Sequence, residues 1–262
     1  MITSDILSRK EGAVGWIIFN RPERHNAIST EMWRELPDIV QMFDADPEVR
    51  VIVVSGAGGR AFIAGADISQ FERNRATPED AARNAEIGNR GRGALGKAVK
   101  PTIAMIQGYC LGGGMAVALS CDLRIASDDS RFGVPAAKLG NAYGFAGAKL
   151  IFDRIGASFG KEMLFTGRQF DAAEALRMGL VNRVVPSTEL QATVRGYTDD
   201  IARNAPLTVA ASKLAFNAAE RDPTDRDFAA IEAAANKCLA SEDIKEGRRA
   251  FMEKRKPEFR GV

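Results

Sequence analysis

Ile106-Gln107-Gly108-Tyr109-Cys110-Leu111-Gly112-Gly113-Gly114-Met115-Ala116 leads from an apolar strand through three consecutive glycines into an apolar helix. A helix start stripped of side chains exposes backbone N–H groups, and the positive end of the helix dipole faces the same point. Glycine at 112, 113 and 114 lets a ligand oxygen come within hydrogen-bonding distance of those groups. Two readings fit the stretch taken alone: an anion site of the oxyanion-hole type, or a tight strand-to-helix connection in which glycine only relieves crowding.

Upstream and downstream of the glycines, strand and helix alternate. Val14 to Phe19, Val51 to Ser55, Thr102 to Gln107 and Leu123 to Ala126 are short, β-branched, apolar runs that read as buried strands. Thr30 to Asp44, capped by Ser29 or Thr30, and Pro78 to Val99, rich in Ala and Arg, read as helices. The first half is therefore α/β. From Gly144 onward the pattern is almost wholly helical, broken at Gly156, Gly167, Gly179, Pro186, Pro206 and Pro223, with one extended piece near Leu180 to Val185. The charged end, Glu246 to Arg260, reads as a solvated amphipathic face.

Composition narrows the function. Lys plus Arg number 36 against 34 Asp plus Glu, a formal charge of +2, which is too balanced for non-specific nucleic-acid binding. No run approaches a membrane span, the N-terminus has no signal-peptide pattern, and the odd set Cys110, Cys121 and Cys238 lacks metal-type spacing; the expectation is a cytoplasmic protein with core thiols, no metal and no membrane partner. A single histidine, His25, excludes a His-rich metal site, and no Gly-x-Ser-x-Gly elbow presents a serine to it. His25 reads as a surface or ligand-lining loop residue.

A second small-residue segment, Ala64-Gly65-Ala66-Asp67-Ile68, follows the strand at 51 to 55. Two glycine-poised segments after two parallel strands could place two N–H donors on one oxygen, the arrangement needed where a thioester carbonyl gains negative charge. Asp67 reads first as a carboxylate capping the helical stretch after it, and only second as a base.

At this point the chain resembles the enoyl-CoA hydratase/isomerase (crotonase) family, on Asn20-Arg-Pro22 with Asn26-Ala27, Ala64-Gly-Ala-Asp67, Gly108-Tyr-Cys-Leu-Gly-Gly-Gly114, Cys121-Asp-Leu-Arg-Ile-Ala126, Phe165-Thr-Gly167, Ala175-Leu-Arg-Met-Gly-Leu-Val181 and Ala250-Phe-Met-Glu-Lys-Arg255. The resemblance implies an α/β fold: a crotonase-type ββα spiral core, assigned to 1–195, and a C-terminal α-helical trimerisation region, assigned to 196–262, assembled as a homotrimer or a dimer of trimers. It implies an acyl-CoA substrate and no cofactor beyond the coenzyme A that the substrate carries. Ala66 and Gly113 would supply the oxyanion-hole N–H groups, with Ala64, Gly65, Asp67, Ile68, Tyr109, Gly112, Gly114, Ala116, Pro135 and Ala136 lining the thioester. Arg24 and His25 would pass near the adenine and phosphates, and Phe251 and Lys254 resemble a C-terminal pair that contacts CoA. The acyl pocket would be lined between Phe71 and Gly96. A lysine that some hydratases carry is Ser69 here.

The chain departs from the family where the resemblance would place two catalytic glutamates, at Ala116 and Ala136; no Asp or Glu occurs from Pro101 to Cys121 or from Ser130 to Phe152. A methyl group cannot move a proton. An enolate-forming reaction without a protein base fits such a site, so the leading expectation is a lyase that decarboxylates a malonyl-type thioester, with Tyr143 as proton donor. Crotonase-type methylmalonyl-CoA decarboxylases are similar in placing a tyrosine there, although they carry a histidine where this chain has Ala66. The alternatives are an ordinary hydratase or isomerase using a carboxylate such as Asp67, Glu86 or Asp122, and a non-catalytic acyl-CoA-binding protein.

Overall fold

A computed structural model describes residues 5–70 and 76–262, with the side chain of Ile68 left aside. Ile6–Glu11 (β1), Val14–Phe19 (β2), Val51–Gly56 (β3), Thr102–Ile106 (β5), Leu123–Ser127 (β7) and Arg183–Val185 (β10) form one sheet in the order β1-β2-β3-β5-β7-β10. β1 pairs antiparallel with β2, and the remaining pairs are parallel. A parallel strand covered on both faces must be apolar throughout, and Val51, Ile52, Val53 and Val54 are each fully buried. Their side chains alternate between two cores. Ile52 and Val54 face the main core with Phe19, Met32, Leu36 and Phe62, while Val51 and Val53 pack with Trp16, Ile125, Leu190 and Val194.

A second, four-stranded sheet runs Ala61–Ile63 (β4), Tyr109–Leu111 (β6), Arg131–Gly133 (β8) and Phe170–Asp171 (β9) in that order. Its strands are two or three residues long and carry no readable periodicity, so they escaped the sequence reading, as did polar β1. They end where the glycine-rich segments begin: Ala64 follows β4, and Gly112 follows β6.

Thr30–Ala45 (α1) follows its expected limits within a residue, and the cap is Ser29, whose side chain accepts from the Met32 N–H. Its buried residues Met32, Leu36, Ile39, Val40 and Phe43 form one stripe at helical spacing. Pro78–Lys97 (α2) packs on α1 and ends two residues short of the expected Val99. Gly113–Ser120 (α3) starts at the triplet and is buried from Gly114 to Ser120.

Beyond it lie Phe145–Thr166 (α4), Ala172–Arg177 (α5), Leu190–Arg203 (α6), Pro206–Ala219 (α7), Phe228–Ala240 (α8) and Glu242–Met252 (α9). The expected break at Gly156 is a kink inside α4, where its φ of 72° leaves helical geometry. The extended piece expected near 180–185 is shorter, only Arg183–Val185. Among the described residues, no helix is long and apolar enough to cross a membrane.

Candidate active site

Two loops after β4 and β6 meet. Gly112 reaches φ 49°, ψ −104° at the N-cap of α3, a left-handed backbone that a side chain would strain. Its N–H donates to the Gly133 carbonyl at 2.9 Å, which ties the helix start to the segment leading into Pro135 and Ala136. A β-carbon at Gly113 would stand 3.0 Å from the Ile28 γ-methyl and 3.3 Å from the Gly65 carbonyl carbon; one at Gly114 would stand 2.1 Å from the Ile63 carbonyl oxygen. Glycine is thus required by close approach of the Ile63–Gly65 backbone.

The Ala64–Asp67 segment is held on its other edge. Ile28 N–H donates to the Gly65 carbonyl and Asp67 N–H to the Ile28 carbonyl, each at 2.9 Å, and Ala64 N–H donates to the His25 carbonyl at 3.0 Å. In this parallel bridge between Ile28 and Ala66, the N–H of Ala66 itself points away from Ile28. Gly113, the first residue of α3, has no intrahelical acceptor for its own N–H. Ala66 is exposed and borders a cleft of about 200 Å³ together with Ile28, Thr30, Trp33, Gln70, Ala81, Asn84 and Ala85. Residues 71–75, part of the stretch expected to wall the acyl pocket, lie outside the described residues; of the remainder, Ala81, Asn84, Ala85 and Ile87 of α2 border this cleft.

The supporting loop is built around Asn26, which is fully buried with φ 57°. Its side-chain oxygen accepts from Arg21 N–H at 2.9 Å, and its amide donates to the Ala57 and Ala61 carbonyls at 2.9 and 2.7 Å. His25 and Arg24 ride on this turn. His25, also left-handed, stacks edge-on to Tyr109 at 6.2 Å, and Arg24 reaches Asp67 at 3.2 Å and the Ser69 hydroxyl at 3.3 Å.

Asp67 is a scaffold carboxylate. It pairs with buried Arg21 at 2.9 Å and accepts from the Ser69 N–H at 3.0 Å, capping the single 3-10 turn Ile68–Gln70. Burial pushes its carboxyl up, but the hydrogen bonds from Ser69 and Arg21 outweigh this and hold it below its ordinary value. A carboxylate so engaged is a poor base, because any proton it takes must break those bonds. Asp122 is likewise occupied, by Lys213 at 2.8 Å and by the Thr102 N–H at 2.7 Å. Glu86 is exposed on α2.

Ala116 is buried in the first turn of α3, and Ala136 sits in the 3-10 helix Pro135–Leu139, packed against the main core. Tyr143 lies two residues before α4, its ring over Gly147, and also packs on the main core. Burial pushes its phenol above the ordinary value, partly offset by Arg92, so it stays protonated at neutral pH. Phe251 and Lys254 are not brought to this site. Both are exposed, at the end of α9 and just past it, and Phe251 borders a separate groove with Ala205, Cys238 and Phe259. Helix α9 packs on α8, and that packing carries the pair away from Ala66 and Gly113 within one chain. Asn26, Ile28 and Trp33 were not singled out as site residues from sequence, because what defines them is contact with segments distant along the chain.

The buried thiols Cys110 and Cys121 are pushed up, Cys121 to about 12, chiefly by burial, which makes them inert core residues.

Residues 9–262 match the family model described as enoyl-CoA hydratase/isomerase. A short-chain-enoyl-CoA hydratase from Clostridium acetobutylicum is 36% identical over 258 residues, covering 98% of each chain. A carnitinyl-CoA dehydratase from Proteus mirabilis is 38% identical over 257 residues, covering 95% of this chain and 96% of the other. The crystal structure of an enoyl-CoA hydratase/carnithine racemase from Magnetospirillum magneticum superposes with a TM-score of 0.93 at 35% identity, covering 100% of this chain and 97% of that one.

Proposed function

The chain belongs to the enoyl-CoA hydratase/isomerase family and has the crotonase fold, and on that premise we propose that it is a hydratase-type lyase that adds water to, or removes it from, an acyl-CoA thioester. The observation that carries this is the abutment of two glycine-lined backbone segments, at Gly65 and Gly113, beside the cleft that Ala66 borders. The thioester oxygen is taken between Ala66 N–H and Gly113 N–H, where the dipole of α3 adds to the attraction. Polarising that carbonyl makes the β-carbon of a 2-enoyl thioester electrophilic. Water then bonds to the β-carbon, the electron pair moves onto the thioester oxygen as an enolate, and the α-carbon takes a proton from the Tyr143 phenol. The proton shed by the attacking water restores the phenol through solvent, so atoms balance.

Removing one oxyanion-hole donor costs about 10²- to 10³-fold in known cases, and one general acid or base contributes about 10²- to 10⁴-fold. With alanine at 116 and 136, the hole carries most of the rate. The names of full-length relatives speak for water chemistry ahead of the decarboxylation expected from sequence. Decarboxylation of a malonyl-type thioester stays as the second reading, favoured by the missing carboxylates and by a protonated Tyr143.

Mass spectrometry of a panel of acyl-CoAs incubated with the protein separates these. A change of about 18 mass units supports water chemistry, a loss of about 44 supports decarboxylation, and binding with no change of mass leaves isomerisation, which conserves mass, or the non-catalytic reading. Phe251 and Lys254 fit a CoA contact only across two copies of the chain, so the helical part after 195 is proposed to assemble a trimer or a dimer of trimers, in a cytoplasmic setting suited to its reduced thiols.

A further inference from the structure

The cleft beside Ala66 is bordered along α2 by Ala81, Asn84, Ala85 and Ile87, and among the described residues of that helix its lining goes no further. Gly91 continues the face of Asn84 and Ile87, at spacings of three and four residues, and there the indole of Trp33 lies against the helix. A β-carbon at Gly91 would stand 2.6 Å from Trp33 Cε3 and 2.8 Å from the Trp33 carbonyl oxygen, so glycine is what lets ring and backbone of α1 come this close. The Arg92 guanidinium, 6.0 Å from the ring centroid, adds a cation–π contact that holds the ring in place. The start of α1 ties the indole to the proposed hole. With Ser29 as N-cap, Ile28 and Trp33 occupy the two positions that pair as a hydrophobic staple across a helix start, and both border the cleft. Ile28 is in turn bridged to Ala66, and its N–H donates to the Gly65 carbonyl at 2.9 Å.

The polar members of the lining engage one another: the Thr30 N–H donates to the Gln70 side-chain oxygen at 2.9 Å, and the Thr30 hydroxyl donates to Asn84 at 3.3 Å. Ile28, Trp33, Ala81, Ala85 and Ile87 supply the apolar part. The cleft holds about 200 Å³; at about 30 Å³ for each water-sized group, about the size of a methylene, that is room for about seven. We infer that Trp33, seated on Gly91, is the residue that stops the acyl chain, so that an acyl group with its carbonyl in the hole is buried over about eight carbons and no more. This rests on the acyl-CoA reading above and adds a chain-length limit to it. Each methylene that the cleft buries raises affinity about fourfold. Methylenes beyond the stop remain in water and add nothing.

The test measures dissociation constants of butyryl-, hexanoyl-, octanoyl-, decanoyl- and dodecanoyl-CoA calorimetrically, below their micelle concentrations, on the full-length wild type and Trp33→Ala. These saturated thioesters are consumed neither by water addition nor by decarboxylation, so binding is read apart from chemistry. On the wild type, affinity should rise through octanoyl-CoA and then level off, with decanoyl- and octanoyl-CoA within about twofold of each other. In Trp33→Ala the rise should continue, decanoyl-CoA binding about 10-fold tighter than octanoyl-CoA because two more methylenes are buried. The readout is the position of the break within each protein's own series, which a general loosening of the packing would not move. A wild-type series that rises unbroken to dodecanoyl-CoA overturns the inference, and so does a break at the same length in Trp33→Ala; either leaves the acyl-CoA reading standing. Binding of no member of the series overturns both. Should Trp33→Ala fail to fold, Trp33→Leu keeps an apolar side chain at the same position of α1 and is read in the same way, with a smaller extension.

Discussion

Gly114→Ala is the substitution that most directly disturbs the proposed hole without removing either donor. The new methyl carbon would stand 2.1 Å from the Ile63 carbonyl oxygen and 3.0 Å from its carbonyl carbon. The obstacle is backbone at the end of β4, so no side-chain rotation relieves it, and α3 must part from the Ile63–Ala66 segment by about 1 Å. Overpacking of this kind costs about 1–3 kcal/mol of stability, or about 2–4 °C in Tm for each kcal/mol in a chain of this size. A displacement of about 1 Å in a positioned group costs about 100-fold in rate. We expect kcat/KM on the best thioester of the panel to fall by about that factor, in a protein that still melts cooperatively. Gly93→Ala is the matched control: it lies inside α2 with nothing within 4 Å of the added carbon, and it should gain about 0.5–1 kcal/mol with no loss of rate. Gly114→Ala retaining kcat/KM within threefold of wild type would refute the reasoning that spacing between β4 and α3 sets the rate.

Three further outcomes follow from the same geometry. Asn26→Ala leaves the Arg21 N–H and the Ala57 and Ala61 carbonyls short of a partner, and at about 1–3 kcal/mol for an unsatisfied buried group it should lower the urea midpoint strongly; an unchanged midpoint would show that the turn is not held by its side chain. Asp67, whose folded pKa is depressed below the ordinary 3.8, contributes stability that is present above the unfolded pKa and lost as pH falls through the folded one. The stability difference between wild type and Asp67→Asn should therefore be full at pH 6 to 8 and shrink below about pH 4, while the pH–rate profile near neutrality keeps its shape; a lost acidic limb in that variant would restore Asp67 as a base. Tyr143→Phe should cut turnover by about 10²- to 10⁴-fold with thioester affinity preserved, and equal rates would remove the phenol as proton donor.

Much of the frame is legible in the chain because it rests on local patterns. The stripe Met32, Leu36, Ile39, Val40 and Phe43 marks α1, and the unbroken apolar run at 51–54 marks a strand buried on both faces. The glycine triplet and the Ala64–Ile68 segment were legible too, as places where backbone must come close. What was not legible depends on pairing over distance. β4, β6, β8 and β9 exist only because they hydrogen-bond one another, and Asn26 acquires its place from carbonyls 31 and 35 residues away. Whether Asp67 is a base or a cap could be decided only by seeing Arg21 and Ser69 on its oxygens.

The central claim is that two backbone N–H groups, of Ala66 and Gly113, polarise the thioester carbonyl. Isotope-edited vibrational difference spectroscopy of a carbonyl-labelled 2-enoyl-CoA bound to the protein reads that bond directly. The account predicts a carbonyl stretch at lower frequency than for the same thioester in water, with the shift diminished in Gly114→Ala. A bound thioester whose carbonyl stretch matches its value in water would contradict it.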